Sequence, residues 1–183
     1  MVQILENLDT QLLLFINQTL ANSLFDIIMP LLDDPKRWIP IILCIWIITL
    51  IKDPANRLKL LILLPLTILF CDQIGGLIKS LHLRDRPWFD LGTDIVRHLG
   101  KSTGRHLSFP SNHAFNISGV AFLFSNTYPR YKYYFWFLAC TIMYSRIYIG
   151  VHYPIDVFFG CLFGILISFI IINTWEKLLS IKS

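Results

Sequence analysis

Apolar runs separated by short polar breaks make up most of the chain, and they predict helices at about 8–32, 37–52, 58–80, 113–128, 132–150 and 153–175. These runs approach or reach the ~17 to 25 residues an α-helix needs to cross hydrocarbon. The pattern therefore predicts an all-α fold, a polytopic membrane helical bundle of about six transmembrane helices, in a single domain over residues 1–183. Breakers mark the joints at Asp33-Asp34-Pro35, Asp53-Pro54, Tyr128-Pro129 and Tyr153-Pro154, and Pro65 predicts a kink within the third run. Asn17, Gln18, Asn22 and Asp26 interrupt the first run, which reads either as a span or as an interfacial helix followed by a short or tilted one. Residues 1–9 lack the basic region that opens a secretory signal, so no processing is expected.

One connection, at about 81–111, is long, and it holds Arg84, Arg86, Arg97, Lys101 and Arg105 together with His82, His98 and His106. Loops of this length in a compact bundle are usually functional. The third run exits into this loop, the fourth starts from it, and the fifth returns to the same side at Ile149-Gly150. The opposite side carries Lys52, Arg57, Lys59, Arg130, Lys132, Lys177 and Lys182, and the positive-inside rule makes that side cytoplasmic.

Composition sharpens the setting. With 55% hydrophobic residues and a mean hydropathy of +0.58, a chain of 183 residues has more apolar surface than a soluble domain buries, which places it in a lipid bilayer. Trp38, Trp88, Tyr128, Tyr153 and Trp175 fall near run ends, either among headgroups or in the core. A net charge of +4 from 16 basic and 12 acidic residues gives no case for a nucleic-acid partner. Cys44, Cys71, Cys140 and Cys161 lie inside apolar runs without a CxxC pair and read as buried packing residues.

The chemistry gathers on the loop side in three clusters. Lys79 ends the third run, and Arg86 follows seven residues later before Pro87. Alone, Lys79 reads sooner as a snorkelling residue, and the arginines as a solvated loop, than as a phosphate site. Arg84 and Asp85 read as an exposed ion pair or as support for the site. Pro110-Ser111-Asn112-His113 opens the fourth run with Ser111 as N-cap, and a helix start of this kind attracts a phosphate oxygen. Ser145-Arg146 ends the fifth run, and His152 and Asp156 straddle the turn into the sixth at a spacing of four, which sets carboxylate beneath imidazole. Such an Asp fixes the ring tautomer and leaves the other nitrogen free to attack; the bland alternative is a His-Asp bond joining two helices. Together these residues suit a phosphate ester: cations pair with phosphoryl oxygens, one imidazole attacks, and another protonates the leaving oxygen. Asp72 reads as a packing residue facing the bundle interior or as a distant partner of the basic site. Gly75-Gly76 and Gly160 with Gly164 read as close-approach points between helices, or as a slot for a lipid tail.

The three clusters resemble the signature of the type 2 phosphatidic acid phosphatase (PAP2) family, KxxxxxxRP, PSGH and SRxxxxxHxxxD, in that order. Lys79, Arg86 and Pro87 match the first, and Ser145, Arg146, His152 and Asp156 match the third in full. The second matches at Pro110, Ser111 and His113, with Asn112 in place of glycine. The resemblance implies a six-helix membrane phosphatase in which His152 is the nucleophile, oriented by Asp156, and His113 is the acid. Lys79, Arg86, Ser111, Asn112 and Arg146 would bind the phosphate. It implies no cofactor, and the residues themselves hold no further cluster of carboxylates and histidines for a metal.

The expected function is metal-independent removal of phosphate from a membrane lipid through a phosphohistidine, at the outer face of a bacterial inner membrane. Relatives act on undecaprenyl diphosphate, phosphatidylglycerophosphate, phosphatidic acid or lipid A 1-phosphate. Transfer of the phosphoryl group to an alcohol is a second enzymatic reading, and a non-catalytic channel, transporter or lipid-binding protein a third. The paired His113 and His152 argue against the last, because recruiting anionic headgroups needs cations alone. The related vanadium haloperoxidases share such a site but are soluble.

Overall fold

The computed structural model describes residues 2–101 and 104–180, which form helices and loops without a strand. Lys182 and the side chain of Trp38 lie outside the described residues. The elements are α1 (Val2–Leu14), continued by a π-helical turn (Phe15–Thr19), α2 (Ser23–Leu31), α3 (Pro35–Lys52), α4 (Arg57–Lys79), the short α5 (Pro87–Asp90), α6 (Asn112–Thr127), α7 (Lys132–Tyr148) and α8 (Pro154–Ser180). The expected joints hold, and Pro154 opens α8 at the helix position where a missing N–H costs nothing. The first run divides as its polar interruptions suggest. Asn22 caps α2 by accepting the N–H of Phe25 at 2.9 Å, and the chain turns by 114° between the two halves.

Among the described residues, two helices, α4 and α8, are by length and composition apolar enough to cross a membrane alone, or three spans if the bent pair counts as one. This is fewer than the six runs suggest, and the packing explains part of the gap. Helix α6, of 16 residues, is enclosed by α4, α7 and α8, so its faces meet protein more than lipid and tolerate Asn116, Ser118 and Ser125. Helices α3, α4 and α8 instead turn Ile45, Ile48, Leu61, Leu69, Leu162 and Leu166 outward, as a hydrocarbon solvent requires. Asp72 lies on the exposed surface of α4, not in the bundle interior, and Cys44 and Cys140 are exposed while Cys71 is buried.

Close contact between α6 and α8 sets the position of the site. A Cβ on Gly160 would come within 2.6 Å of the Ser111 carbonyl, so glycine there lets the start of α6 rest directly on α8. Helix α1 lies across the loop-side ends of α7 and α8: Asp9 accepts the N–H of Ile155, and Asn17 of the π turn donates to the carbonyl of Tyr148. Its buried face presents Asp9 and Leu13, whereas Ile4, Leu5, Leu8, Leu12 and Phe15 form an exposed apolar stripe along the opposite side.

Candidate active site

The long loop folds back on itself between Lys79 and Ser111. Arg86 N–H donates to the Arg105 carbonyl at 2.8 Å and Ser108 N–H to the Arg84 carbonyl at 3.1 Å, which brings the first and second clusters side by side. Lys79 closes α4 with Nζ 2.5 Å from the Leu107 carbonyl and 3.3 Å from that of Ser108. Arg86 precedes Pro87 in extended conformation and is buried; its Nε donates to the Gly104 carbonyl at 2.8 Å and its Nη1 to the Val151 carbonyl at 3.0 Å. The same Nη1 stands 3.5 Å from Nε2 of His152.

The third cluster is held by a tight turn after α7. Gly150 takes φ +75°, and a Cβ there would meet the Arg97 carbonyl at 2.6 Å, so both backbone angle and space call for glycine. Beyond it, Val151 and His152 both donate their N–H to the Arg146 carbonyl, at 3.3 and 3.2 Å. The His152 ring and Arg146 are thus fixed to each other through the backbone.

Asp156 sits one turn into the chain beyond His152, with Oδ2 at 3.7 Å from Nδ1. That is an ion-pair distance and not the direct hydrogen bond which the spacing suggests. The reason is that Oδ2 already accepts the Ser108 hydroxyl at 2.6 Å and the Tyr153 N–H at 2.9 Å. Oδ1 faces Arg84 Nη1 at 3.2 Å, and Arg84 Nη2 in turn lies 2.7 Å from Asp9 Oδ2.

Ser111 caps α6 by accepting the Ala114 N–H, at 3.5 Å, and its own N–H donates to the Asp156 carbonyl at 3.0 Å. The second cluster is therefore fixed against the third. Asn112 turns its side chain to α4, where a Cβ on Gly75 would meet Oδ1 at 2.7 Å; that oxygen has no partner among the described residues. His113 hydrogen-bonds the backbone of Asp33, and its Nε2 is likewise buried without a partner among the described residues. Arg146, fully buried, is paired through Nη1 with Asp33 Oδ1 at 2.5 Å, while Asp33 Oδ2 accepts the Lys101 N–H at 2.7 Å.

The structure thus brings Lys79, Arg86, Arg146, His113, His152 and Asp156 together, with Ser111 and Asn112 on the turn above them. The charges act on one point. Burial, reinforced by the positive charges of Arg86, Lys79 and Arg146 and then by His113, holds His152 well below the usual imidazole range. Burial and the neighbouring Arg146 bring Arg86 down to about 10, still protonated at neutral pH. Against the upward pull of its own burial, the Arg146 guanidinium keeps Asp33 below the ordinary carboxylate range.

Sequence reasoning missed Asp9, Asp33 and Ser108 and left Arg84 open. Asp33 had a signal, since an ionisable residue buried at a break between membrane helices is a candidate by default. Asp9 and Ser108 had none within a helical turn. His106 pairs with Asp85 at 2.6 Å and His98 stacks on Trp88, so neither joins the group around His152.

Comparison with known proteins fits this geometry. The profile of the PAP2 superfamily matches residues 59–179. The chain is similar to a lipid A 4'-phosphatase of Bacteroides thetaiotaomicron, 33% identical over 171 residues, spanning 90% of this chain and 75% of that one. It is also similar to the bacitracin transport permease protein BcrC of Bacillus licheniformis, 29% identical over 70% of this chain, and there it spans 62% of the relative's length. Among solved structures, Aquifex aeolicus LpxE superposes with a TM-score of 0.74 at 26% identity, over 91% of this chain and 95% of that one.

Proposed function

The chain belongs to the PAP2 superfamily of membrane lipid phosphatases, and from that premise we propose that it removes a phosphate from a membrane lipid through a phosphohistidine at His152. One observation carries the reading: Nε2 of His152 faces Arg86 while Nδ1 turns to Asp156, and three cations surround the ring. An Nε2 that faces an N–H donor is the unprotonated nitrogen, so its lone pair is the nucleophile. A phosphoryl group drawn between His152 and the cations would meet that lone pair. The Nε2–P bond forms as the bond to the leaving oxygen breaks, and His113, entering the step as the imidazolium, gives that oxygen the proton on its Nε2. Water then attacks phosphorus, His113 takes its proton, and the Nε2–P bond breaks to release phosphate. Lys79, Arg86 and Arg146 stabilise the charge that builds on the equatorial oxygens. A site so rich in cations repels a divalent ion, which supports a metal-independent reaction.

Similarity over 90% of the chain to a lipid A 4'-phosphatase supports lipid A phosphates as the first substrates to try, ahead of undecaprenyl diphosphate, phosphatidylglycerophosphate and phosphatidic acid. The basic residues at the far ends of α3, α7 and α8 favour a cytoplasmic location for those ends. The site then opens to the outer face of a bacterial inner membrane. The test is turnover of these lipids by purified protein in detergent with EDTA, beside His152→Ala. Phosphate release that survives EDTA and vanishes in the variant supports the reading; a requirement for added divalent metal, or full activity of the variant, overturns it.

A further inference from the structure

The carboxylate behind His152 does not act alone. Asp156 Oδ1 meets Arg84 Nη1 at 3.2 Å, and Arg84 Nη2 meets Asp9 Oδ2 at 2.7 Å, with both carboxylates buried. The guanidinium lies 3.7 Å over the Tyr153 ring, which leaves it little freedom to swing away. Asp9 Oδ1 accepts the N–H of Ile155 at 2.9 Å, in the first turn of the helix that bears Asp156. Asp9 therefore grips the arginine with one oxygen and the start of α8 with the other.

The charge count of this chain has a chemical consequence. Phosphorylation of Nε2 leaves Nδ1 protonated, so the intermediate carries an imidazolium that needs a negative charge beside it. Arg84 on its own would cancel the charge of Asp156 and leave a neutral pair facing the ring. A second carboxylate on the far side of Arg84 restores a net charge of −1 to the group. We propose that Asp9 is a positioning residue for the reaction, acting through Arg84, so that the partner of the His152 imidazolium is the carboxylate–guanidinium–carboxylate chain Asp156–Arg84–Asp9. The residue comes from α1, the helix whose opposite side bears the exposed apolar stripe, and ties the nucleophile to an element outside all three motif clusters.

The inference rests on the phosphohistidine reading above, and charge-counting variants test it separately. Asp9→Asn keeps an oxygen for the Ile155 N–H but removes the charge, leaving the chain neutral. We expect kcat to fall roughly ten- to a hundredfold with KM within about threefold. Asp9→Asn/Arg84→Gln returns the chain to −1, and it should run faster than Asp9→Asn alone. A residue with a merely structural role would give the opposite order, because the double variant loses more contacts. If Asp9→Asn does not yield folded protein, Asp9→Glu asks the question from the other side: it keeps the charge while moving the carboxylate, so kcat within about threefold of wild type is expected, and a tenfold or greater fall overturns the inference. Wild-type kcat in Asp9→Asn, or a double variant no faster than its single parent, overturns the inference while wild-type turnover stands. Absence of wild-type turnover on every lipid of the panel removes the phosphatase reading and this inference with it.

Discussion

Nη1 of Arg86 donates to the carbonyl of Val151 and at the same time stands 3.5 Å from Nε2 of the adjacent His152. The backbone that carries His152 therefore also holds the Arg86 cation, and the two cannot drift apart separately. A guanidinium beside an unprotonated nitrogen suppresses its protonation and marks where a phosphoryl oxygen would bind.

The pH response follows from that pairing. Burial, with the surrounding positive charges, holds His152 well below its ordinary value of 6.5. The unfolded chain takes up a proton near that value while the folded one does not, so this contribution to stability is complete above 6.5 and is lost as pH falls from there toward the folded value. Thermal unfolding in detergent should shift to lower temperature between pH about 7 and about 5, and His152→Asn should flatten the slope. In kcat/KM, the acid limb expected if His152 is the nucleophile should lie well below 6.5.

Removal of His113 should show in the choice of substrate. His113→Ala is expected to lose ~100- to 10,000-fold in kcat on a lipid phosphate, whose alkoxide needs a proton to leave. On p-nitrophenyl phosphate, whose phenolate leaves unaided, the loss should be much smaller. Equal losses on both would show that this imidazole is not the acid.

The buried pair Arg146–Asp33 separates stability from chemistry. Asp33→Ala strands a buried guanidinium and should destabilise the protein by ~3–5 kcal/mol, read from unfolding in detergent. Asp33→Ala/Arg146→Met removes both charges and should recover much of that stability while activity remains low. Recovery of both would take Arg146 out of the phosphate cradle.

Gly75→Ala should drive a methyl group into Asn112 Oδ1, which stands 2.7 Å from the position of that Cβ. Overpacking of this sort costs ~1–3 kcal/mol and would displace the first turn of α6. Asn112→Gly vacates the space, so the double variant should be more stable and more active than Gly75→Ala. If the two substitutions add independently, Asn112 does not pack on α4 as described.

The helices were legible where the chain is punctuated. Asp53-Pro54, Tyr128-Pro129 and Tyr153-Pro154 fall at the observed boundaries, because proline and its neighbours act within one turn. The motif residues were legible because their spacing is short and their side chains have few other uses. Arg146–Asp33 was not, being a contact across 113 residues, and neither was Ser108–Asp156 across 48. A carboxylate looks the same in sequence whether its partner is water or a buried arginine. The surroundings of α6 were not legible for a related reason: they are other helices, and no local pattern distinguishes a helix sheathed in protein from one that meets lipid.

Asp33 reaches the site from ahead of α3, whereas His152 and Asp156 arrive with α8, the last helix of the chain. That late stretch also gathers the earlier groups, since the Val151 carbonyl accepts from Arg86 and the Asp156 carbonyl from Ser111. The closing stretch of the chain is thus a clasp, and a protein cut after Tyr148 would lack both the imidazole and the backbone that draws Arg86 and Ser111 toward it.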